Sequence, residues 1–491
     1  MTSGAGTRKH LIGLLSIAAL VGLSLSFGMC IQDDAFISFR YARNLADGDG
    51  LVFNPGEPVE GYTNFLWTAL LAPAFALELS PLLYTVLIGV ASAAAAVAVA
   101  WVFTREDGPI AWAAPFFVAL NLGLAMESVQ GLETGLFAAW VGLALGLRAR
   151  ESPENGGWGS ALAAGLAALT RPEGYLLFAL LEGTGLLYDR AWRHRLKAWA
   201  LFLAVTLPHL AFRVLYYGDI VPNTFHAKVG HTTAQALRGV HYLADFAASN
   251  VTLSALALIG LVVALRRRSS RLEALLPGIV LPWLLYVAYV GGDFKPTWRF
   301  VVPLLVPLAW LARIGLGALP RAGTRVGGLA WAAAALAGLS ADTARGYPAF
   351  TAVAEYRLQV MEDDLFTGAF LRDTYPPTSV LAIHAAGAVP FACDFYTIDM
   401  WGLSDPHIAR REVEGMGSGT AGHEKTDYDY VFSRDPDLYL PYEDYLTDEP
   451  KRLPVPTDFP ADFEARYTQF SVPYEGRWIN LFQRNDQEGG G

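Results

Sequence analysis

The feature that most constrains this chain of 491 residues is a series of eleven apolar stretches, all before residue 342. They lie near residues 11–30, 82–103, 109–126, 135–147, 158–170, 174–188, 198–217, 251–265, 274–290, 300–319 and 326–341. A helix needs about 20 apolar residues to cross a bilayer, so several stretches must include flanking residues. Because 53% of the residues are hydrophobic and only 17% are charged, we predict a polytopic α-helical membrane protein with about eleven transmembrane helices.

Basic residues in the connections predict the orientation, because short loops rich in Lys and Arg stay in the cytoplasm. They occupy every second connection: Arg8 and Lys9; Arg105; Arg148 and Arg150; Arg190, Arg193, Arg195 and Lys197; the arginines at 266–268 with Arg271; and Arg321 with Arg325. This alternation predicts a cytoplasmic N-terminus and an extracytoplasmic, periplasmic C-terminal segment in a multi-pass protein of the inner (plasma) membrane.

Two apolar segments have alternative interpretations. The stretch 62–79 contains Pro73 and is bounded by Pro81, and it would invert all later helices if it crossed, so we predict a re-entrant or interfacial segment. The first stretch has the basic start of a signal peptide, but no small-residue cleavage site follows, which favours an uncleaved first helix. Cys30 and Cys393 both fall on the outer side, and two separate buried thiols are favoured over a disulfide.

The C-terminal segment has a different composition from the rest of the chain. Residues 345–491 hold 25 acidic and 12 basic residues, whereas residues 1–344 hold 21 and 24. We therefore predict a transmembrane domain of residues 1–344, with a first loop and juxtamembrane helices at 31–81, and a small C-terminal α+β domain of residues 345–491. Its expected strands come from three runs: 379–399, 428–433 and 477–484. An acidic domain repels phosphates, which disfavours nucleic-acid binding.

Aromatic and histidine side chains in this C-terminal domain have two interpretations. The aromatic residues would suit sugar stacking, although a core role is favoured: Trp401, Tyr428, Tyr430, Tyr439, Tyr442 and Tyr445. Several polar residues could close over a site on the membrane domain, although a structural role is favoured: His384, Asp405, His407, His423 and Lys425.

Ionisable residues collect in five outward connections: 31–61, 126–134, 171–174, 217–228 and 291–300. A charge near the bilayer is costly unless it faces a polar cavity, so we predict that these connections share one. In the first, Asp33 and Asp34 precede a predicted amphipathic helix that is closed by Gly48 and Gly50. One of the two aspartates is expected to cap the helix, and successive helical residues point about 100° apart, so the carboxylates should not serve the same atom.

The other motif residues each have a structural alternative. Glu133 could be a solvated loop acid, and Arg171 with Glu173 could be a simple ion pair. A second group could hold an anion at the membrane surface or contact lipid headgroups: Lys228, Lys295 and Arg299. The sequence lacks a GxxxxGK[ST] loop, a GxGxxG turn and a metal-spaced Cys/His cluster, so nothing in it indicates a nucleotide site or a zinc site.

The segment DDAFISFRYARNLADGDGLVFNPGEPVEGYTNFLW at 33–67 resembles the first periplasmic loop of the GT-C superfamily, the multi-spanning glycosyltransferases that use polyprenyl-phosphate-linked sugars. Within it, the chain is similar to the terminal arabinofuranosyltransferases of the mycobacterial cell wall and their bacterial relatives. The likeness extends through shorter motifs, GLET, TRPEG, VPNTFHAK, GGDFKPTWRF, DMWGLSDPHIARR and GHEK, and so covers most of the chain. The C-terminal segment, residues 345–491, which we also call the tail, lacks the WWDYG type of motif of bacterial oligosaccharyltransferases. This absence disfavours transfer of a preassembled glycan to Asn.

The resemblance implies transfer of a hexose or pentose from a polyprenyl phosphate to a hydroxyl of a cell-envelope glycan, lipid or protein, with inversion. It implies Asp33 as the base, with Asp34 capping the helix or positioning the acceptor or a metal. The candidates for the donor phosphate are Lys228, Lys295 and Arg299. The candidates for sugar or acceptor contacts are Arg40, Glu133, Arg171, Glu173, Asn223, Asp293 and His423. No cofactor is required, although a divalent cation remains open.

Two other classes of function remain as alternatives. A transporter or flippase for a lipid-linked saccharide would also have many helices, but it should carry charges near the membrane midplane rather than at helix ends. A non-catalytic assembly protein of the cell envelope would keep the fold and tolerate loss of the acidic pair.

Overall fold

The computed structural model describes residues 3–104, 110, 112–151, 157–188, 192–228, 232–267, 269–320, 322–413, 416, 419–420 and 422–485. Four basic residues of the predicted cytoplasmic connections lie outside the described residues: Arg105, Arg190, Arg268 and Arg321.

The first three quarters of the chain is helical. The helices are α1 Ser3–Leu25, α2 Asp33–Asp47, α3 Phe65–Ala76, α4 Pro81–Val102, α5 Ala113–Ala119, α6 Leu122–Glu127, α7 Thr134–Arg150, α8 Trp158–Thr170, α9 Glu173–Tyr188, α10 Trp192–Tyr217, α11 Asn223–Lys228, α12 Thr233–Ser249, α13 Val251–Arg267, α14 Arg271–Val290, α15 Leu305–Ala318 and α16 Arg325–Thr374. A 3-10 turn, Val302–Leu304, leads into α15.

Each predicted apolar stretch overlaps a helix, and the stretch near 109–126 corresponds to α5 and α6 together. By length and composition alone, three helices of the described part of the chain could cross a bilayer: α4, α10 from Arg195 onward, and α14. The pair α12 and α13, bent by 106°, would make a fourth if it forms one broken span. Among the described residues, four further apolar helical segments are only 10–17 residues long: His10–Leu25, Phe65–Ala76, Trp158–Thr170 and Val302–Ala318. The number of about eleven crossings therefore stays a prediction.

Helices α3 and α16 concern two predictions: the non-crossing segment 62–79 and the domain boundary at residue 344. Helix α3 covers the stretch 62–79 with only 12 residues, about 18 Å, which is too short to cross a bilayer. Pro73 lies inside α3 and does not interrupt it. Helix α16 is 50 residues long and passes through residue 344 without a break, so the expected domain boundary falls inside a helix. The change of architecture comes after Thr374, where the sheet begins.

The helical bundle has charged residues at each of its two ends. At one end, Arg195 pairs with Glu151 at 3.2 Å and with Glu182, and Arg271 donates to the Glu151 carbonyl. These residues come from or border three of the predicted cytoplasmic connections. Because α7 and α8 run from one end to the other, the loop between α8 and α9, which contains Arg171, lies at the opposite end.

The C-terminal segment forms a mixed sheet with short helices. Its strands are β1 Val380–Ile383, β2 Tyr396–Asp399, β3 Leu438–Leu440, β4 Leu446–Thr447, β5 Tyr467–Tyr474 and β6 Arg477–Arg484. Strands β2, β1 and β3 are parallel, and β6 pairs antiparallel with β3, β4 and β5. The short helices are α17 Ala388–Cys393, α18 Pro406–Arg410, α19 Tyr428–Ser433 and α20 Phe463–Arg466. This segment confirms the predicted α+β class.

The run 428–433 was predicted as a strand, and that prediction is wrong. It forms α19, because the Asp427 side chain accepts a hydrogen bond from the Tyr430 N–H and caps the helix. Val431 and Phe432 are then buried on one side of the helix in the core of the segment. Cys30 and Cys393 are both buried free thiols.

Candidate active site

A cavity of about 490 Å³ lies where the five predicted outward connections meet, and each of them contributes residues to its wall. The shared cavity expected from the sequence is therefore present. Its charged lining residues are Arg171, Arg213, Lys228, Arg238 and Arg299 with Asp34, Glu133, Glu173 and Asp293.

Asp34 lies on the cavity side of α2. Its carboxylate accepts a hydrogen bond from Lys295 Nζ at 2.5 Å, and the Arg299 guanidinium lies 3.8 Å away. Arg299 also pairs with Asp293 at 2.5 Å. Burial by itself would raise the pKa of Asp34, but the charges of Lys295, Lys228 and Arg299 outweigh burial and hold that pKa below its ordinary value. Asp34 is therefore an ionised carboxylate that orients the cations around it.

Lys228 is the last residue of α11 and points into the same cavity. A Cβ on Gly422 would come 3.2 Å from its Cε, so the tail approaches the lysine closely. Burial lowers the pKa of Lys228, and the negative charge of Asp34 opposes that change. Among the described residues, no carboxylate lies within ion-pair distance of its ammonium group. A desolvated cation of this kind, facing a cavity, is suited to bind an anion.

Arg171 and two glutamates form another part of the wall. The guanidinium donates to Glu133 at 2.5 Å and to Glu173 at 2.8 Å, and Asn64 donates to Glu133 at 3.0 Å. The ion pair of Arg171 and Glu173, left open by the sequence, is present. Glu133 is only 3% exposed, so the alternative of a solvated loop acid is wrong.

Asp33 faces the other side of α2, toward the C-terminal segment. Its Oδ1 accepts a hydrogen bond from the Ala388 N–H at 2.7 Å. A Cβ on Gly387 would lie 2.3 Å from that oxygen, so only glycine permits this approach. Burial raises the pKa of Asp33 to about 7, although the hydrogen bond from Ala388 lowers it. Neither aspartate caps α2: the N-cap position is Gln32, which makes no side-chain capping bond, so the predicted capping role is corrected.

A second buried carboxyl group accompanies Asp33 on the tail side. Asp364, from the outer part of α16, accepts a hydrogen bond from the Tyr445 hydroxyl at 2.6 Å. Burial and the charge of Asp33 raise the pKa of Asp364 to about 8. The sequence analysis missed this group, because residues 33 and 364 come together only through the fold.

Of four predicted sugar or acceptor contacts, two join the helical part to the C-terminal segment and two line the cavity. Arg40 is 1% exposed, and its guanidinium donates to the carbonyls of Phe53 and Phe395, both at 2.7 Å. Its donors are used in joining α2 to the tail, so we correct its expected sugar contact to a structural one. The Asn223 amide likewise donates to tail carbonyls, at 2.9 and 3.0 Å. His423 lines the cavity, as does Asp293.

The sequence analysis also missed an ion pair at the cavity edge. Arg213 lies in apolar helix α10 and donates to Glu60 through Nε at 2.6 Å and through a terminal nitrogen at 2.9 Å. A charged residue inside an apolar helix is a signal that could have identified Arg213.

Metal ligation can be checked only for the residues that the structure describes. Within the described part of the chain, no three His, Cys, Asp or Glu side chains gather as metal ligands. Asp34, the residue considered for a metal, is instead bound by Lys295 and lies close to Arg299. Protein cations therefore occupy the positions around this carboxylate.

Solved structures establish the class of fold. The crystal structure of ArnT from Cupriavidus metallidurans bound to undecaprenyl phosphate is similar, with a TM-score of 0.61 over 98% of both chains at 12% sequence identity. The apo structure of the same protein gives a TM-score of 0.61 at 14% identity, again over 98% of both chains. The chain therefore has the GT-C membrane fold, as predicted.

Curated relatives are closer in sequence but match only in part. The terminal β-(1→2)-arabinofuranosyltransferase of Mycobacterium tuberculosis is 30% identical over 266 residues, which are 48% of this chain and 40% of the relative. The protein of the same name from Corynebacterium glutamicum is 29% identical over 324 residues, 57% of this chain and 47% of the relative. The matches span less than half the length of either relative. Residues 351–483 match a family described as a domain of unknown function, DUF8728.

Proposed function

We propose that the chain is a membrane glycosyltransferase that moves a sugar from a polyprenyl phosphate to a hydroxyl of a cell-envelope glycan. The observation that carries the proposal is the cavity lined by Asp34, Lys228 and Arg299, in which Lys295 binds the Asp34 carboxylate, in a fold shared with ArnT. The names of the partly matching relatives support arabinofuranose as the sugar. No observation favours a flippase or a non-catalytic assembly protein over this activity.

The cations supply the site for the donor phosphate. Lys228 is suited to bind an anion because it lines the cavity and forms no ion pair with the described carboxylates. Lys295 is bound to the Asp34 carboxylate at 2.5 Å, and Arg299, paired with Asp293, lies 3.8 Å from the same carboxylate. When the bond between the sugar C1 and the phosphate breaks, the electron pair goes to the phosphate oxygen, and these cations stabilise the added negative charge. No protein acid is needed, since a phosphate monoester is an adequate leaving group.

Asp33 is the proposed general base. Adjacent residues of a helix point about 100° apart, so a phosphate at the cations and a hydroxyl at Asp33 would approach the sugar from different sides. The hydroxyl gives its proton to the carboxylate as its oxygen bonds to C1, and this single displacement inverts the anomeric centre. A pKa of about 7 suits a general base at neutral pH.

The remaining wall residues are proposed to hold the donor sugar. Arg171, Glu133 and Glu173 present charged hydrogen-bonding groups to the cavity, and so does Asp293. Because these groups are held by one another or by Arg299, they would present fixed partners for sugar hydroxyls.

We further propose that the cavity lies on the extracytoplasmic side, with the N-terminus in the cytoplasm and a C-terminal domain outside. The gathering of Arg195 and Arg271 around Glu151 at the end of the bundle opposite the cavity supports this orientation. The proposed domain boundary is moved to the end of α16, because the helix continues through residue 344.

The purified protein, incubated with a panel of polyprenyl-phosphate sugars and acceptor glycans, should consume the arabinofuranose donor and form a glycosylated acceptor. Mass spectrometry measures both changes, and Asp33→Asn is the matched inactive control. Consumption of another sugar would correct the substrate, whereas retention of every donor by an intact, folded protein would contradict the proposed activity.

A further inference from the structure

Aromatic side chains form a continuous surface from the cavity edge to the tail side of α2. The His423 ring stacks on Trp401 with centroids 3.8 Å apart and planes 7° apart. Phe294, at the cavity wall, lies 5.1 Å from His423, and Tyr442 lies 5.0 Å from Trp401 on the other side. We call Phe294, His423, Trp401 and Tyr442 the aromatic platform.

The platform is accessible where an apolar core would not be. Phe294 is 48% exposed and Tyr442 is 52% exposed, and Trp401 is partly exposed between them. By contrast, Phe432 and Phe463 in the core of the same segment are buried. Large aromatic groups left open beside a polar cavity indicate a surface that binds a ligand.

The position of the platform relates it to the proposed base. Burial raises the pKa of Tyr442, and the negative charge of Asp33 is one of several smaller contributions in the same direction. At the other end, His423 and Phe294 line the cavity together with Lys228. The platform thus begins at the cavity proposed for the donor, and its far end, Tyr442, lies within electrostatic range of the proposed base.

We propose that the aromatic platform binds the terminal sugar of the acceptor glycan, with a C–H face of the sugar ring packed on Trp401 and Tyr442. This inference rests on the proposed glycosyl transfer, since it names the surface that presents the attacking hydroxyl to Asp33. A sugar ring has a face of C–H groups that suits the negative face of an aromatic ring, while its hydroxyls remain at the edge for polar contacts. The anionic donor phosphate would instead bind among the cations.

The test uses the full-length protein in nanodiscs, with methyl arabinofuranoside as the sugar probe and undecaprenyl phosphate as the lipid probe. Saturation-transfer NMR should detect the methyl glycoside on the wild-type protein. Tyr442→Ala should weaken its binding about fivefold to tenfold and raise the acceptor KM similarly, while Tyr442→Phe keeps the ring and should bind normally. Undecaprenyl phosphate should bind all three proteins equally.

Phe470→Ala provides the matched control, because Phe470 is 44% exposed on β5 of the same segment and outside the platform. It should leave both probes unaffected. Trp401→Leu gives a second variant, which retains apolar volume without an aromatic face and should also lose the glycoside. If Tyr442→Ala and Trp401→Leu both bind the glycoside normally and keep a normal acceptor KM, the proposed sugar-binding role of the platform is contradicted. Failure of undecaprenyl phosphate to bind the wild type would instead contradict the donor site, whatever the glycoside result.

Discussion

On the cavity side of α2, Asp34 lies among cations, whereas on the tail side of the same turn Asp33 lies against a backbone amide and near a second carboxyl group. Lys295 and Arg299 keep the pKa of Asp34 low despite burial. Asp33 accepts its hydrogen bond from Ala388, and its pKa rises to about 7. Two identical side chains at successive positions therefore have opposite tendencies to bind a proton.

This difference separates two tasks that one carboxylate would perform poorly. A base must accept a proton at neutral pH, which a carboxylate held by several cations does weakly. A residue that orients cations must stay charged while a phosphate binds nearby. Groups whose environments push their pKa values apart are commonly assigned such different roles. If the two faces of α2 act independently, a change at Asp33 should affect the rate of transfer and a change at Asp34 should affect phosphate binding.

The largest effect should come from Asp33→Asn. The amide can still accept the hydrogen bond from Ala388, so the tail stays in place, but it cannot take a proton from the acceptor. Transfer should fall about 10²- to 10⁴-fold, the usual contribution of a general base. The measurement is the rate of product formation at saturating donor, with the Kd for undecaprenyl phosphate measured in parallel.

Asp34→Asn is the matched comparison on the other face, because it removes a charge next to Lys295 without changing shape. It should change the Kd for undecaprenyl phosphate, whereas Asp33→Asn should not. A wild-type rate in Asp33→Asn would remove that residue as the base. Equal changes of Kd in both variants would show that the two faces are not independent.

Arg40→Met should have the next largest effect, a decrease in the free energy of unfolding. The substitution leaves the carbonyls of Phe53, Pro390 and Phe395 without their buried donor, and each lost bond costs about 1 kcal/mol. We expect a loss of about 3 kcal/mol of unfolding free energy, seen as a lower thermal midpoint in detergent. Arg43→Met, one turn later, should cost less, because its partner Asp394 is 63% exposed and Arg43 donates to one backbone carbonyl, that of Phe391, rather than three. Equal midpoints for the two variants would contradict the structural role of Arg40.

A smaller effect should come from Lys228→Met, which keeps the stem of the side chain and removes its charge. A hydrogen bond to a charged group contributes about 1.5–3 kcal/mol, so undecaprenyl phosphate should bind about 10- to 100-fold more weakly. Isothermal titration or thermophoresis in nanodiscs measures the Kd. Lys451→Met, on the exposed surface of the tail, is the control for removing one positive charge. If both variants lose the same affinity for undecaprenyl phosphate, the effect is due to net charge and not to a phosphate site at Lys228.

The sequence predicts the features that depend on local patterns. The apolar stretches mark the helices, and the first-loop motif places Asp33 and Asp34 at the start of α2, because hydropathy and helix periodicity are properties of neighbouring residues. The convergence of Glu133, Arg171 and Lys228 on one cavity also follows, since a consistent orientation brings alternate loops to the same side. These signals locate the helices and predict that the charged connections lie together.

Long-range packing accounts for what the sequence could not predict. Arg40 has the appearance of a ligand-binding residue, but carbonyls about 350 positions away occupy its guanidinium. The loop with Gly387 reaches Asp33 across a similar separation, so the different environments of Asp33 and Asp34 cannot be read from their adjacency. The strand predicted at 428–433 failed because one capping side chain, Asp427, overrode strand propensity.

The pH dependence of transfer should give the smallest change and still separate the two carboxylates. Asp33 is active as a base only when ionised, and its pKa is raised to about 7, so kcat/KM should fall about tenfold for each pH unit below that value and level off above it. Asp34 stays ionised through this range because its pKa is lowered, so an enzyme that used Asp34 as the base would show a flat profile between pH 5.5 and about 8.5. The profile of His423→Gln should keep the same midpoint, because burial lowers the pKa of His423 below its ordinary value whereas burial raises that of Asp33 to about 7. A midpoint that disappears in His423→Gln would assign the titration to the platform rather than to the base.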